Sequence, residues 1–403
     1  MFPRGNPDMS RGAALKPIPL HREVYDAEPE VFDATIAPEP PNPFGRVGRV
    51  AEWVFGAATL ILGLALLTAV PLGQVLVLGY LLEVTGRVAR TRRLREGFIG
   101  VRTAARLGGV ALGAGVLWLP LYVVSAVAES ARIIDPNGDA VRLWEGVLWA
   151  LMVLYVLHVA GALVRGGRLR HFLHPLNIPW LGWKLVRGGL YADCRDRLWA
   201  TAVRLRPSYY FGLGLRGYLG AFLWLLVPLA LLGSGHHYPA VGVLGAVLLG
   251  IVVLYLPLLQ ARFARDNRLR AYREWLSIRR DFGRAPLAFA FAIWVQLLAA
   301  SPLYLLKIEA IPRDLIFLEG FVFLAFMFPA RLAMGWAYAR ADKRTELRHF
   351  VFRWAGRLAI LPVVVAYVGV VFTSQHIGWS GVSSLYEQHA FLLPVPFTDV
   401  DAK

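Results

Sequence analysis

Long apolar runs separated by short basic or polar stretches occupy most of this chain. Most runs approach the roughly 20 residues that a helix needs to cross a hydrocarbon core about 30 Å thick. Short alternating segments, the signature of a membrane β-barrel, are absent. The pattern predicts an all-α, polytopic helical membrane protein with about nine transmembrane helices. The apolar segments are Ala51–Val70, Leu72–Gly86, Leu107–Ala128, Leu143–Val164, Phe211–Gly233, Tyr238–Gln260, Ala285–Leu306, Leu315–Ala330 and Ala355–Thr373.

A proline divides the first apolar run. Pro71 stands between the first two segments, and a helix interior tolerates proline poorly. The run is therefore either a tight pair of short helices or one long kinked helix. A basic N-terminal tail without a signal peptide favours a cytoplasmic N-terminus, which requires an odd number of crossings. This argument favours nine spans over eight.

The basic residues predict how the chain is oriented. Of the 43 Lys and Arg residues, 38 lie in the tail and in alternate loops, which would share one side of the membrane. The other 5 lie in the segments on the opposite side. Positive residues are retained on the cytoplasmic side, so we expect a multi-pass membrane protein with its N-terminus in the cytoplasm and its C-terminus extracytoplasmic. The net charge of +16 follows from these loops and gives no reason to expect nucleic acid as a partner.

Composition and an internal match divide the chain into four parts. Residues 1–50 are rich in Pro, Glu and Asp and predict a disordered cytoplasmic tail. Residues 51–235 form the first membrane half, an extra helix followed by repeat 1. Residues 236–375 form the second half, repeat 2, and residues 376–403 form an extracytoplasmic C-terminal tail.

The two repeats are predicted from short sequences that recur in the same order. RVARTRRLR at 87–95 returns as RFARDNRLR at 262–270, and Tyr-Leu at 80–81 returns at 255–256. PLY recurs at 120–122 and 302–304, and LRHF recurs at 169–172 and 347–350. Four spans per repeat is an even number, so the two repeats would be parallel. Some transporters have parallel repeats with a binding site between them.

Arginine-rich loops carry the first group of candidate site residues. The candidates for contact with anionic lipid or phosphate are Arg93, Arg95, Arg168, Arg170, Arg268, Arg270 and Arg348. One interpretation is that they orient the loops and anchor them to the lipid surface. The other is a specific head-group site built from Arg93, Arg95, Arg268 and Arg270. After Arg268, the spacing of Leu269, Tyr272 and Leu276 predicts one apolar face of an interfacial helix.

A second group of candidates consists of polar residues within the spans: His158, Gln74 and Gln296. An ionisable residue in a span is by default a functional hypothesis. The alternative is a hydrogen bond that joins neighbouring helices. A water-filled cavity lined by all three would favour transport. Glu83, near the end of its helix, is expected to pair with a loop arginine.

Other chemistry finds little support in the sequence. No catalytic motif is present, so we expect no catalytic residues and regard an enzyme as the third choice. The outer histidines lack close ligand spacing, and we predict neither a metal site nor a cofactor. The single cysteine, Cys194, excludes a disulfide framework. The loop at 165–210, or the N-terminal tail, would offer a docking surface to a cytoplasmic protein partner.

Several stretches carry a resemblance: GYLLEVTGRVARTRRLREGFIGVRTAARLGG, RPSYYFGLGLRG, MFPARL and SLYEQHAFLLPVPF. With them, the chain after about residue 50 resembles a family of bacterial multi-pass membrane proteins known only as a domain of unknown function. The resemblance implies a helical membrane fold and a bacterial envelope, and it implies no activity. The arginine-rich loops and the cytoplasmic surface instead lead us to expect a scaffold that interacts with lipids or docks a partner. The alternative is a permease for a small apolar or amphipathic solute, with its site at the repeat interface.

Overall fold

A computed structural model describes residues 43–307, 316–378 and 381–392. The chain divides after Val50 into two units, and the statements below concern the second, residues 51–403. The predicted N-terminal tail lies outside the described residues up to residue 42, as does the C-terminal tail beyond residue 392. The α-helices are α1 (Pro43–Thr68), α2 (Pro71–Thr91), α3 (Val101–Ile134), α4 (Asp139–Val164), α5 (Leu169–Phe172), α6 (Asn177–Arg187), α7 (Leu190–Leu205), α8 (Pro207–Ser234), α9 (Pro239–Asp266), α10 (Trp275–Arg284), α11 (Pro286–Ala300), α12 (Ile316–Ala341) and α13 (Phe350–Ile377). Short 3-10 helices cover Leu94–Gly97, Leu269–Arg273, Ser301–Lys307 and Gly381–Tyr386.

The described part of the chain contains nine helices that are long and apolar enough to cross a membrane. Their most apolar stretches have mean hydropathies between 1.3 and 2.6. They correspond one to one with the nine apolar segments of the sequence, so the all-α membrane fold is confirmed. By helix length and hydropathy the protein is a multi-pass membrane protein.

The chain reverses at Pro71 and forms two helices. Pro71 is the first residue of α2, where its missing N–H costs nothing. Trp53, near the start of α1, contacts Phe98 beyond the end of α2, with ring centroids 4.9 Å apart. The two helices are therefore antiparallel, and the prediction of a tight helix pair is confirmed over that of one kinked helix.

The helix α2 lies at the centre of the bundle and packs against α8, α9 and α12. Its closest neighbour is α8, and glycines permit the approach. A Cβ atom on Gly79 would lie 1.8 Å from the carbonyl oxygen of Tyr210, and one on Gly214 would lie 2.0 Å from that of Val75. Small residues at both positions let the two backbones touch, as is common between membrane helices.

The two halves predicted from the sequence do not form separate bodies. The helices α2 and α8 of the first half pack with α9 and α12 of the second. By contrast, α3 and α4 pack mainly against each other and against α5 and α6. The α3–α4 hairpin meets α1 where a Cβ on Gly108 would lie 2.3 Å from Thr59. Most other apolar side chains of the hairpin are exposed, as expected of helices that face lipid.

The helix ends predicted to share the basic side lie together on one face, here called the arginine-rich face. Arg90, near the end of α2, donates to the carbonyl of Arg265 near the end of α9, at 3.1 Å. Arg265 in turn pairs with Asp342, just beyond α12, at 2.9 Å. Arg344 donates to the carbonyl of Arg284 at the end of α10, at 3.1 Å. Hydrogen bonds and salt bridges from arginine side chains thus link loops that are distant in sequence.

In both copies of the basic motif the α-helix ends at the matching position. Arg92 and Asn267, 175 positions apart, both adopt a left-handed backbone with φ of 61° and 50°. Each ends a membrane helix and is followed by a 3-10 turn. The predicted interfacial face after Arg268 is wrong, because Tyr272 is buried whereas Leu269 and Leu276 are exposed. A 3-10 turn rotates each residue by more than an α-helix does, so the α-helical spacing does not apply there.

Candidate functional site

The first arginine of each basic motif forms salt bridges within the fold. Arg262 pairs with Glu274 at 2.8 Å and with Asp281 at 2.7 Å. Arg87, its counterpart 175 positions earlier, pairs with Glu96 at 3.5 Å. Burial raises the pKa of Asp281, and Arg262 offsets part of that rise. These pairs fasten the 3-10 turns and α10 to the helices that precede them.

Glu83 occupies a similar position in α2. Its Oε1 pairs with Arg90 at 2.5 Å, and its Oε2 accepts a hydrogen bond of 2.7 Å from the hydroxyl of Tyr209. The expected pairing of Glu83 with an arginine is present, but Arg90 lies in the last turn of α2 itself and not in a loop. Because both carboxylate oxygens are engaged, Glu83 joins α2 to the start of α8.

The later arginines of the first motif line an open pocket, here called the α2–α12 pocket, of about 620 Å³. It is lined by Arg92, Arg93, Leu94, Arg95, Glu96, Trp336, Ala339, Arg340 and Lys343. Five cations thus surround one carboxylate. The guanidinium of Arg340 lies 4.8 Å from the ring centre of Trp336, which places an aromatic plane at the wall. The strong excess of positive charge suits an anion.

A second pocket, the α4–α7 pocket, has a volume of about 510 Å³ on the same face. It is lined by Val164, Arg165, Arg170, His171, His174, Trp180, Lys184, Asp193 and Arg197. Lys184 pairs with Asp193 at 2.9 Å, and Arg165 lies 4.6 Å from the ring centre of Trp180. Arg197 donates to the carbonyl of Val164 and so holds α7 against the end of α4.

The charged residues of the α4–α7 pocket shift the pKa values of titratable groups in the same pocket. Partial burial lowers the pKa of His171, and the charges of neighbouring groups lower it further. Those neighbours are Arg170, Arg168, Arg165 and His174. The imidazole of His171 is therefore neutral at neutral pH. The hydrogen bond from Lys184 lowers the pKa of Asp193, which keeps that carboxylate ionised.

The remaining arginines predicted to contact lipid lie outside both pockets. Arg268 donates to Asp266 at 3.2 Å, and Arg270 is exposed on the 3-10 turn that follows. Arg348 lies over the ring of Phe352 at 5.4 Å. Arg168 precedes α5 and is exposed. The hypothetical four-arginine site thus divides, because Arg93 and Arg95 share their pocket with α12 and not with the second motif.

The three intramembrane candidates lie in three different places. His158 Nε2 lies 2.9 Å from the carbonyl oxygen of Phe172 and 3.1 Å from Asn177 Nδ2, in a cluster that ties α4 to α5 and α6. Gln74 donates to the carbonyl of Thr68 at 3.1 Å and closes the α1–α2 turn. Gln296 donates to the carbonyl of Ala390 at 2.9 Å. Within the described part of the chain, the three side chains have no hydrogen-bond partner in common.

A buried arginine that the sequence assigned to a loop lies inside the bundle. The apolar segment was expected to end at Ala330, but α12 continues to Ala341. Arg331 lies about 15 Å along the axis from that end, and only 2% of it is exposed. It donates to Gln260 Oε1 at 2.7 Å and to the carbonyl of Ala390 at 3.1 Å.

The acceptor from Ala390 belongs to a C-terminal segment that folds back into the bundle. After Gly381–Tyr386, the chain from Gln388 to Leu392 is buried and has no helical structure. Gln388 accepts a hydrogen bond of 2.8 Å from the hydroxyl of Tyr367 on α13. Irregular backbone is tolerated at membrane depth only when protein or water satisfies its polar groups. Here side chains of the surrounding helices provide that satisfaction.

Sequence reasoning missed Arg331, Gln260, Asn177 and Tyr367. The available signal was a polar side chain at the edge of an apolar run, as in MFPARL and PLLQARF. That signal identifies buried polarity without identifying its partner. Among the described residues, no group of three or more His, Cys, Asp or Glu is arranged to hold a metal ion.

Comparison with known proteins adds no identity. No protein-family model, no curated protein and no solved structure matches this chain. The two basic pockets and the buried cluster around Arg331 are therefore the features from which a function can be inferred.

Proposed function

We propose that this protein is a scaffold of the bacterial cytoplasmic membrane that binds anionic phospholipid head groups on its arginine-rich face. The α2–α12 pocket carries the proposal. Arg93 and Arg95 meet Arg340 and Lys343 there, around a space of about 620 Å³ beside Trp336. Basic pockets between membrane helices on the cytoplasmic side are recurrent head-group sites.

The energetics favour a lipid over a diffusing anion. Each basic residue near an anionic surface contributes about 1 kcal/mol of attraction. A tryptophan at the pocket wall prefers the depth of the membrane interface, where a lipid head group is found. The α4–α7 pocket repeats this combination with Trp180 beside Arg165.

Binding of phosphatidylglycerol to the purified protein tests the proposal. Arg93→Gln/Arg95→Gln should reduce the affinity for phosphatidylglycerol by roughly tenfold or more, measured by native mass spectrometry against phosphatidylcholine. A matched control is Arg132→Gln/Arg142→Gln, two arginines near the opposite ends of α3 and α4, where Arg132 pairs with Glu145. Equal lipid retention by the two double variants would contradict the proposal.

The orientation has a test of its own. The clustering of basic loops on one face supports a cytoplasmic location for that face. Cys194 lies on α7, on the arginine-rich face, and is partly exposed. A membrane-impermeant maleimide should label Cys194 only after intact cells are permeabilised. Labelling of intact cells would place this face outside.

The surface formed by α6 and α7 supports the docking part of the proposal. None of the side chains of α7 is buried, and Trp199 and Leu198 are 72% exposed. On α6, Val186 is 90% exposed. This apolar surface beside the α4–α7 pocket suits either the lipid interface or a cytoplasmic protein partner, in keeping with the loop at 165–210.

A permease is the second candidate. The observation that favours it is the non-helical segment at 388–392 inside the bundle, since interrupted chain marks binding sites in many transporters. The separate hydrogen-bond partners of His158, Gln74 and Gln296 do not favour the shared cavity that the sequence suggested for a permease. Uptake of a solute by liposomes that contain only this protein would favour the permease over the scaffold.

A further inference from the structure

Side chains from three membrane helices converge on two neighbouring carbonyl groups. Gln260 of α9 donates to the carbonyl of Phe391 at 2.7 Å. Gln296 of α11 and Arg331 of α12 both donate to the carbonyl of Ala390, at 2.9 Å and 3.1 Å. These three side chains, here called the amide–arginine cradle, present only donors to the segment that occupies it.

The cradle carries a positive charge that its occupant does not neutralise. Among the described residues, no carboxylate pairs with Arg331. Its Nε, in addition, has no hydrogen-bond partner. A charge buried at membrane depth is costly unless it is paired. A carboxylate in the position of the Ala390 carbonyl would accept the same hydrogen bonds and would also cancel the charge.

The rest of the occupied space begins at the opposite face and holds apolar side chains together with the buried polar Ser384, Gln388 and His389. The segment leaves α13 near the end of α8, where a Cβ on Gly233 would lie 3.2 Å from Val382. It then descends through buried Leu385 and Phe391 to the cradle. Phe391 packs edge-on against Tyr367, with ring centroids 6.2 Å apart. A ligand of matching chemistry has a carboxylate head and a mainly apolar body.

We propose that the amide–arginine cradle binds a carboxylate-bearing amphiphile and that residues 388–392 are its tethered, exchangeable occupant. The neutral carbonyls of Ala390 and Phe391 fill the site when no such ligand is present. Ligand entry displaces the segment toward the face opposite the arginine-rich one. This site shares no residue with the two head-group pockets, so either proposal can fail alone.

Displacement of the segment is tested by thiol labelling. Ala390→Cys in a Cys194→Ser background places the only thiol where the native side chain is fully buried. With the full-length protein in detergent, dodecanoate should accelerate maleimide labelling by about tenfold or more, because it competes with the segment. Dodecanol, with the same apolar chain and no charge, should leave the rate within about twofold. Equal rates with both compounds, or no acceleration by dodecanoate, would overturn the proposal.

The charge requirement is tested by affinity for dodecanoate. Arg331→Gln should weaken binding by about thirtyfold, because the carboxylate loses its buried counter-charge. Arg357→Gln removes an exposed guanidinium from α13, outside both head-group pockets, and should leave that affinity unchanged. If Arg331→Gln fails to fold, Arg331→Lys keeps the charge but loses the two-pronged geometry, and dodecanoate should still outcompete dodecanol. Binding of both compounds with equal affinity to wild-type protein would rule out a carboxylate site.

Discussion

Arg331 donates a hydrogen bond of 2.7 Å to Oε1 of Gln260, 71 positions away, and joins α12 to α9 inside the membrane bundle. The same Gln260 donates its amide to the carbonyl of Phe391. One glutamine thereby accepts from a charged group and anchors the C-terminal segment. This arrangement explains how an arginine and a stretch of irregular backbone coexist in an apolar core.

The Arg331–Gln260 bond should be measurable as a coupling energy. Gln260→Leu removes the acceptor and leaves the guanidinium buried, which should cost about 2 kcal/mol of unfolding free energy. A double-mutant cycle with Arg331→Met, followed by unfolding in detergent, should show a coupling of about 1–2 kcal/mol. The control is Gln296→Leu, which loses a donor to Ala390 but takes no bond from Arg331. Additive effects of Gln260→Leu and Arg331→Met would contradict the prediction.

Mutations in the second copy of the basic motif should lower stability at an internal arginine and leave it unchanged at an exposed one. Arg262→Gln strands the buried Asp281 and the half-buried Glu274, and should destabilise the protein by about 3 kcal/mol. Arg270→Gln, eight positions later and exposed, should change stability by less than about 0.5 kcal/mol. Thermal unfolding in detergent measures both.

A rescue variant checks the cause assigned to Arg262. If the loss arises from the stranded carboxylate, Arg262→Gln/Asp281→Asn should recover part of it, because the neutral amide tolerates burial without a cation. A double variant that is less stable than Arg262→Gln alone would show that the loss has another origin.

The contact between α2 and α8 should be intolerant of a single added methyl group. Gly79→Ala places a Cβ 1.8 Å from the carbonyl oxygen of Tyr210, a backbone atom that cannot rotate away. We expect a loss of about 3 kcal/mol or more, seen as a lower melting temperature. Gly115→Ala on α3 meets no atom within 4 Å and should be neutral or stabilising by up to about 1 kcal/mol. Equal melting temperatures for the two variants would refute the close approach.

The lowered pKa of His171 should make both the stability of the protein and the lipid affinity of the α4–α7 pocket depend on pH. Burial and the surrounding arginines lower the pKa of His171 below its ordinary value of 6.5, so the folded protein binds fewer protons than the unfolded chain just below pH 6.5. The stability that this confers is complete above pH 6.5 and declines as the pH falls through that window. The charged groups that face His171 are Arg165, Arg168, Arg170, His174, Lys184, Asp193 and Arg197.

Protonation of His171 adds a cation to a pocket that we propose binds an anion. Binding of phosphatidylglycerol should therefore tighten on acidification below pH 6.5, and the bound phosphate should raise the pKa of His171 in return. Titration of lipid binding by wild type and His171→Gln measures the effect, with His349→Gln as a control outside both pockets. A pH dependence that survives in His171→Gln would assign the effect elsewhere.

Much of the membrane architecture follows from local properties of the chain. The nine spans are predicted by apolar run length, and a hydrocarbon core requires that length whatever the helices pack against. The grouping of arginines on one face follows from their alternation between spans. Pro71 marked a break, but only the contact between Trp53 and Phe98 decided that the chain reverses there.

The candidate sites were less predictable because partners lie far apart in sequence. Arg93 was identified as a candidate, but Arg340 and Lys343 complete its pocket from another helix, about 250 positions later. His158 and Gln296 were identified as polar positions, and the sequence carried no information on which carbonyl each would meet. Side-chain direction and helix packing determine those meetings.

Length and hydropathy of the apolar runs were enough to predict the nine membrane helices found in the described part of the chain, and the placement of basic residues predicted that positive charge is concentrated between alternate spans. These are properties that each segment has by itself, because bilayer thickness and backbone hydrogen bonding act on it locally. The burial of Arg331, the return of residues 388–392 into the bundle and the two basic pockets depended on tertiary structure. Each requires groups from three or more elements, and only packing brings those groups within hydrogen-bonding distance.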